Sequence, residues 1–174
     1  MAFSRQDTEC MALALKLSKK GRASVGANPM VGCVITRDNK IIAQDYHRQY
    51  GKAHAEVNAL DQIKHQGKNT KLYVTLEPCS HQGKTPPCTK ALIKADVKKV
   101  VVAMLDPNPV VSGRGIKLLK DAGIEVDIGL LQSEARELNR GFIKRMETGM
   151  PFVTTKIAMS LDGGTAMGSG ESQW

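Results

Sequence analysis

The sequence predicts an α/β protein, a three-layer α/β/α sandwich in which helices cover both faces of a mixed or largely parallel central sheet. Short β-branched runs, at residues 30–36 (MVGCVIT), 72–76 and 97–104 (VKKVVVAM), alternate with stretches whose apolar residues recur at helical spacing. Clusters of breakers, such as Gly26, Asn28 and Pro29 or the DPNP of residues 106–109, separate these runs. The 174 residues, 41% of them hydrophobic, suffice for one domain with a sizeable core and little more.

Residues 4–20 read as the first helix and SVGANP (24–29) as a loop. Residues 30–36 and 40–45 (KIIAQD) are strands joined by a polar turn through Asp38 and Asn39. Residues 54–63 form a helix with Val57, Leu60 and Ile63 on one face. A strand at 72–76 runs into a long loop, 77–87, holding Gly83, Pro86 and Pro87. Cys88 then opens a helix through Ala95, with Pro87 near the first helical position, where its missing N–H does no harm. The strand at 97–104 ends in the rigid DPNP loop; a helix at 115–122 stops at Gly123, a strand follows at 124–128 and a last helix at 132–146. A change of composition at 148–151 (TGMP) marks a linker, which leaves 1–147 as one domain. Beyond it, 152–159 reads as a strand and the remainder, to Trp174, as a Gly/Ser-rich end. Some two dozen residues cannot bury a core of their own, so the chain is expected to stop just inside a second unit.

A net charge of +8 and a pI near 9.4 suggest a polyanionic or phosphorylated partner, with a solvated basic surface as the plain alternative. Three Phe, three Tyr and one Trp are few stacking platforms, which argues against a channel for single-stranded nucleic acid. No apolar run approaches the ~18 residues of a membrane span. The N-terminal stretch carries charges at helical spacing with no cleavage site, so it reads as a helix of the mature protein and not as a signal. Four Cys without an export signal fit a reducing cytoplasm, where thiols serve metals more often than disulfides.

The chemistry concentrates between His54 and Cys88. His54, Cys79 and Cys88 are good zinc ligands, and a catalytic zinc site needs three protein ligands and leaves a fourth position to water. Taken singly, a His-x-Glu pair is mostly surface decoration, and a Cys is mostly a small buried hydrophobe, as suits Cys10 and Cys33. The combination says more: a strand, Pro78-Cys79, a proline-rich loop, a second Cys at a helix start, and His54-Ala55-Glu56 upstream. It matches the zinc-deaminase pattern H-x-E…P-C-x-x-C, in which the Glu is a proton carrier and not a ligand. The eight residues between Cys79 and Cys88 depart from that pattern, which has two. With a helix starting at His54, Glu56 sits in its first turn at the positive end of the dipole, and Cys88 opens a helix where its thiolate is favoured. The metal would bring the pKa of its water to about 7, and Glu56 would pass the proton to a leaving amine.

With these motifs the chain resembles the N-terminal deaminase domain of the bifunctional riboflavin-biosynthesis deaminase/reductase family, of the cytidine-deaminase-like fold. The matching text is NPMVG (28–32), His47, His54-Ala-Glu56, LEPCSH (76–81), GKTPPC (83–88), DPNP (106–109), AGI (122–124) and NRGF (139–142). The Cys spacing with GKTPPC is the family's own, and Lys84 stands where Arg is also common. The resemblance implies hydrolytic deamination of 2,5-diamino-6-ribosylamino-4(3H)-pyrimidinone 5′-phosphate at the C2 amino group, a small phosphorylated substrate, with neither nucleic acid nor membrane as partner. It implies that His54, Cys79 and Cys88 bind zinc, that Glu56 shuttles protons, and that Asn28, His47, Lys84, Asp106 and Asn108 line the substrate pocket. On the bland reading Asn28 shapes a turn, and Asp106 and Asn108 cap their loop. Lys84, a point charge on a loop, suits a phosphate.

The tail, 152–174, resembles the start of the family's reductase half, a dihydrofolate-reductase-like domain that uses NADPH, with Lys156, Ala158, Ser172 and Trp174 at positions that contact NADP or substrate. The bulk of that domain lies outside this chain, so deamination without NADPH oxidation is the expectation. A tRNA adenosine deaminase is the alternative enzyme, favoured by charge and disfavoured by the long Cys–Cys loop. A structural zinc module is disfavoured because Glu56 would be idle. The sequence is compatible with a homo-oligomer and does not fix the state.

Overall fold

A computed structural model describes residues 3–109 and 111–172. Helix α1 (Arg5–Ser18) starts at a capping box: the Ser4 hydroxyl accepts from the Asp7 N–H at 3.1 Å, and the Asp7 carboxylate accepts from the Ser4 N–H at 2.9 Å. That carboxylate also accepts from the Tyr73 hydroxyl at 2.7 Å and from Lys71 Nζ at 2.6 Å, which ties the helix to the sheet. After a short 3₁₀ turn (Lys19–Gly21), strands β1 (Gly32–Arg37) and β2 (Lys40–Tyr46) form a hairpin. Asp38 and Asn39 make its two-residue turn with φ of 49° and 62°, the left-handed pair that suits strand twist.

Helix α2 (Ala55–Gln62) leads to β3 (Thr70–Val74), α3 (Cys88–Lys94) to β4 (Lys99–Val102), and α4 (Arg114–Asp121) to β5 (Glu125–Ile128). The sheet runs β2-β1-β3-β4-β5. β1 is antiparallel to both of its neighbours, whereas β3, β4 and β5 are parallel, so the sheet is mixed. Alternating strand residues divide the core: Ile35, Leu72 and Val100 pack with Leu60, Leu92 and Leu119 of α2, α3 and α4. Val34, Tyr73 and Val101 pack with Met11, Ala135 and Ile143 of α1, α5 (Gln132–Leu138) and α6 (Arg140–Thr148). Each large apolar side chain buried this way contributes about 1.5–3 kcal/mol. The expected three-layer sandwich is therefore the fold, and among the described residues no helix is long and apolar enough to cross a membrane.

Two expectations need correction. The single helix at 132–146 is two helices broken at Asn139, whose φ of −111° and ψ of 21° leave the helical region. Its side-chain amide is engaged elsewhere, accepting from the Met30 N–H at 2.8 Å and donating to the Met30 carbonyl at 3.0 Å. The strand expected at 152–159 is also absent: no strand is formed there, and Val153 and Ile157 are 75% and 66% exposed. A lone strand with no neighbour leaves its backbone donors and acceptors to water, so sequence propensity alone does not order it. The other elements fall within a few residues of their expected bounds, the 97–104 run pairing only over β4.

Gly32 shows how closely α1 lies on the sheet, since a Cβ there would overlap the Ala14 carbonyl oxygen. Gly32→Ala must push the helix off β1 and is expected to destabilise the protein by about 1–3 kcal/mol or more, as overpacking of a filled core does. Urea denaturation of the two proteins measures it, and an unchanged midpoint would show that α1 packs more loosely.

Candidate active site

The site forms where β3 and β4 end. His54 is the N-cap residue of α2, with extended backbone (φ −77°, ψ 169°), so the helix opens at Ala55, one residue later than the spacing suggested. Glu56 lies in its first turn, Cys79 in the loop after β3, and Cys88 at the first position of α3 behind Pro87. The His54 Nδ1 is 3.2 Å from the Cys88 Sγ and 3.6 Å from the Cys79 Sγ. The three ligand atoms lie within 4.8 Å of one another. A tetrahedral zinc with bonds of about 2.3 Å to sulfur and 2.0–2.1 Å to nitrogen sets N and S roughly 3.5 Å apart. These residues therefore fit a zinc ion by donor type and by spacing. Cys10 and Cys33 are buried in the two core clusters, away from this trio.

Electrostatics prepare the trio for a cation. A hydrogen bond from the Cys88 thiol holds the Cys79 thiol well below the usual thiol range, against the cost of burial, with His54 and the Cys88 backbone N–H adding to the effect. Cys88 is correspondingly pushed up, first by that bond and then by burial, so the expectation that its helix start favours the Cys88 thiolate is corrected: these two effects outweigh the helix start. The bond to Cys79 raises His54 against burial. A divalent metal displaces the protons that remain, because only thiolate and neutral imidazole are ligands. Glu56 is 3% exposed, and burial pushes its carboxyl up to about 7, with His54 opposing and Cys79 adding to the rise. Its Oε2 has no hydrogen-bond partner among the described residues. A carboxyl poised near neutrality can both take and give a proton.

The trio opens onto a cavity of about 310 Å³. Asn28, His47, Lys84, Asp106 and Asn108 all line it together with His54, Glu56 and Cys79, while Cys88 is buried behind its wall. His47 is buried with its ring edge-on to His54, centroids 5.1 Å apart. Its Nδ1 is 3.2 Å from the Ala53 carbonyl, an arrangement that requires Nδ1–H to donate. Burial pushes its pKa down, so the ring is neutral and Nε2, without a partner among the described residues, is an acceptor. Lys84 lies over the Tyr50 ring, 4.1 Å from its centroid, at the mouth. Asp106 accepts from the Asn108 N–H at 2.9 Å, which is the local loop turn that the bland reading of this pair describes.

Three contributors escaped the sequence reading. Tyr50 carries Lys84, and Asn139 pins Met30 and hence the Asn28 loop. The third, Glu77, is buried beneath the cavity and accepts four backbone hydrogen bonds. A Gly-x-Gly at a helix start was the available signal: Gly113 takes a positive φ, and Gly115 lets Pro78 and Glu77 approach its backbone closely. Lys156, Ala158 and Ser172 do not reach this cavity, and Trp174 lies outside the described residues.

Residues 4–104 match the family model of the cytidine and deoxycytidylate deaminase zinc-binding region. The riboflavin biosynthesis protein RibD of Escherichia coli is 55% identical over 169 residues, covering 97% of this chain and 46% of the relative. A diaminohydroxyphosphoribosylamino-pyrimidine deaminase of Buchnera aphidicola is 48% identical over 146 residues, 84% of this chain and 99% of that relative. The crystal structure of a diaminohydroxyphosphoribosylaminopyrimidine deaminase/5-amino-6-(5-phosphoribosylamino)uracil reductase from Thermotoga maritima superposes with a TM-score of 0.91 at 42% identity, over 97% of this chain and 49% of the other. The chain thus spans about half the length of most of the curated relatives it matches and nearly all of the shorter Buchnera deaminase. The fold, the zinc-binding region and these identities agree: the chain belongs to the cytidine and deoxycytidylate deaminase family, among its riboflavin-biosynthesis members.

Proposed function

We propose that this chain hydrolytically deaminates 2,5-diamino-6-ribosylamino-4(3H)-pyrimidinone 5′-phosphate, with zinc held by His54, Cys79 and Cys88. The observation that carries this is Glu56, a buried carboxyl with an unpartnered oxygen, beside a His/Cys/Cys trio at the floor of a cavity. Zinc, when bound, supplies Lewis acidity that makes a water molecule acidic near neutral pH. Glu56 then takes the proton of the attacking water and delivers it to the amine, so that the C2–N bond breaks as ammonia leaves. His47 offers its Nε2 lone pair to an N–H of the substrate. Asn28, Asp106 and Asn108 orient the ring, and Lys84 holds the phosphate at the mouth as a point charge. Residues 152–174 are read as the opening of the reductase half of the longer relatives, and NADPH chemistry is assigned to that half. A tRNA adenosine deaminase is the weaker reading, because identity to riboflavin-pathway proteins runs over nearly the whole chain.

Three measurements test this reading. Metal analysis of the purified protein should find about one zinc per chain, and Cys88→Ala should abolish it; retained stoichiometry in that variant would remove Cys88 from the ligand set. Glu56→Gln keeps the shape and removes the proton carrier, so zinc should stay while ammonia release falls by about 10²–10⁴-fold or more. Near-normal turnover would reassign the proton transfer.

Lys84→Ala should raise KM and leave kcat, because a remote phosphate is bound alike in ground and transition states. The same substitution should hardly affect a substrate without the phosphate. Equal loss on both substrates would give Lys84 another role.

A further inference from the structure

Glu77 stands two residues before Cys79 and is 4% exposed. Its Oε2 accepts from the Asp106 N–H at 3.1 Å and the Gly113 N–H at 3.0 Å. Its Oε1 accepts from the Gly115 N–H at 2.9 Å and the Ile116 N–H at 3.2 Å, in the first turn of α4. One oxygen therefore clamps both ends of the loop that carries Asp106 and Asn108, and the other caps a helix. A carboxylate offers about four lone-pair sites and no donor, and here four N–H groups use them. The backbone reinforces the link: the Glu77 N–H donates to the Met104 carbonyl at 3.0 Å, and the Pro78 carbonyl lies where a side chain on Gly115 would be.

We infer that Glu77 is a positioning residue, which locks the Asp106–Asn108 loop in register with Cys79 so that substrate contacts and metal site keep one geometry. This rests on the proposed function for the part that concerns substrate; the locking itself does not. Glutamine in its place turns an NH₂ donor against two N–H donors, so one pair of bonds is lost while size is kept. A shift of the loop by about 1 Å can cost up to about a hundredfold in substrate use.

The test compares wild type, Glu77→Gln, Asn108→Ala and the double variant in zinc content, KM, kcat and amide hydrogen exchange. Glu77→Gln should keep zinc, raise KM about tenfold or more with a smaller change in kcat, and speed exchange at Asp106 and Gly113 while α2 stays protected. The double variant should be little worse than the poorer single one, because both act through one loop. A KM like that of wild type, loss of zinc, or multiplicative effects of the two substitutions overturns the inference. If wild type does not deaminate the nucleotide, or if Asn108→Ala leaves KM unchanged, the functional reading fails instead. The exchange rates then decide the locking alone, and unchanged protection at Asp106 and Gly113 overturns it. Should Glu77→Gln not fold, Glu77→Asp, which keeps the charge and shortens the reach, carries the same comparison, with the same outcomes for and against.

Discussion

Everything near the cavity depends on bringing one imidazole and two thiols, from positions 54, 79 and 88, within 4.8 Å of one another. The chain meets this constraint with the sheet. The loop after β3 delivers Cys79, and the helices that flank β3 on one face of the sheet begin beside His54 and at Cys88. Helix N-termini carry unpaired N–H groups and a positive partial charge, which favour a thiolate placed beside them. The Cys88 N–H donating to the Cys79 sulfur at 3.3 Å is one such group. The sheet and α1 behind it fix the floor: with Gly32 against Ala14, neither layer can slide without a clash.

Two buried glutamates show how environment divides one residue type between two tasks. Glu77 has every acceptor position used by backbone N–H groups, which makes it an anchor with nothing left for a ligand. Glu56 keeps an oxygen without a partner among the described residues, and burial brings its titration near neutrality. An unmet acceptor in a dry site is costly, and such groups collect where chemistry needs them. A residue that is satisfied holds the frame, and one that is not can exchange protons.

Much of this was legible in the sequence. The three-layer class follows from strand periodicity and breakers, and the grouping of His54, Cys79, Cys88 and Glu56 from local motif text, whereas Asn28, His47, Lys84, Asp106 and Asn108 come only from the family resemblance. What was missed is long-range. Asn139 breaks α5 from α6 through an amide bonded to Met30, more than a hundred residues away, and no helical pattern foretells that partner. Glu77 stands in LEPCSH with no role readable from its neighbours, since its four partners lie 29 to 39 residues downstream. The strand expected at 152–159 failed for the opposite reason: its composition is strand-like, but a strand is stable only with neighbours.

The net charge of +8, which the sequence leaves between a polyanionic partner and a solvated surface, is offset only in part by ion pairs. Four of the helix cations are paired with acids: Arg5 with Glu9, Lys117 with Asp121, Arg136 with Glu147 and Arg140 with Glu137. Such exposed pairs are worth little in stability, but they cancel the field around them. Lys52 and Lys84 line the cavity and enter no ion pair among the described residues. The Tyr50 ring, half exposed beneath Lys84, steadies that ammonium without neutralising it. Positive charge without an ion pair is thus present at the mouth of the cavity, as it is on helices α1 and α3, where Lys16, Lys90 and Lys94 likewise enter none among the described residues.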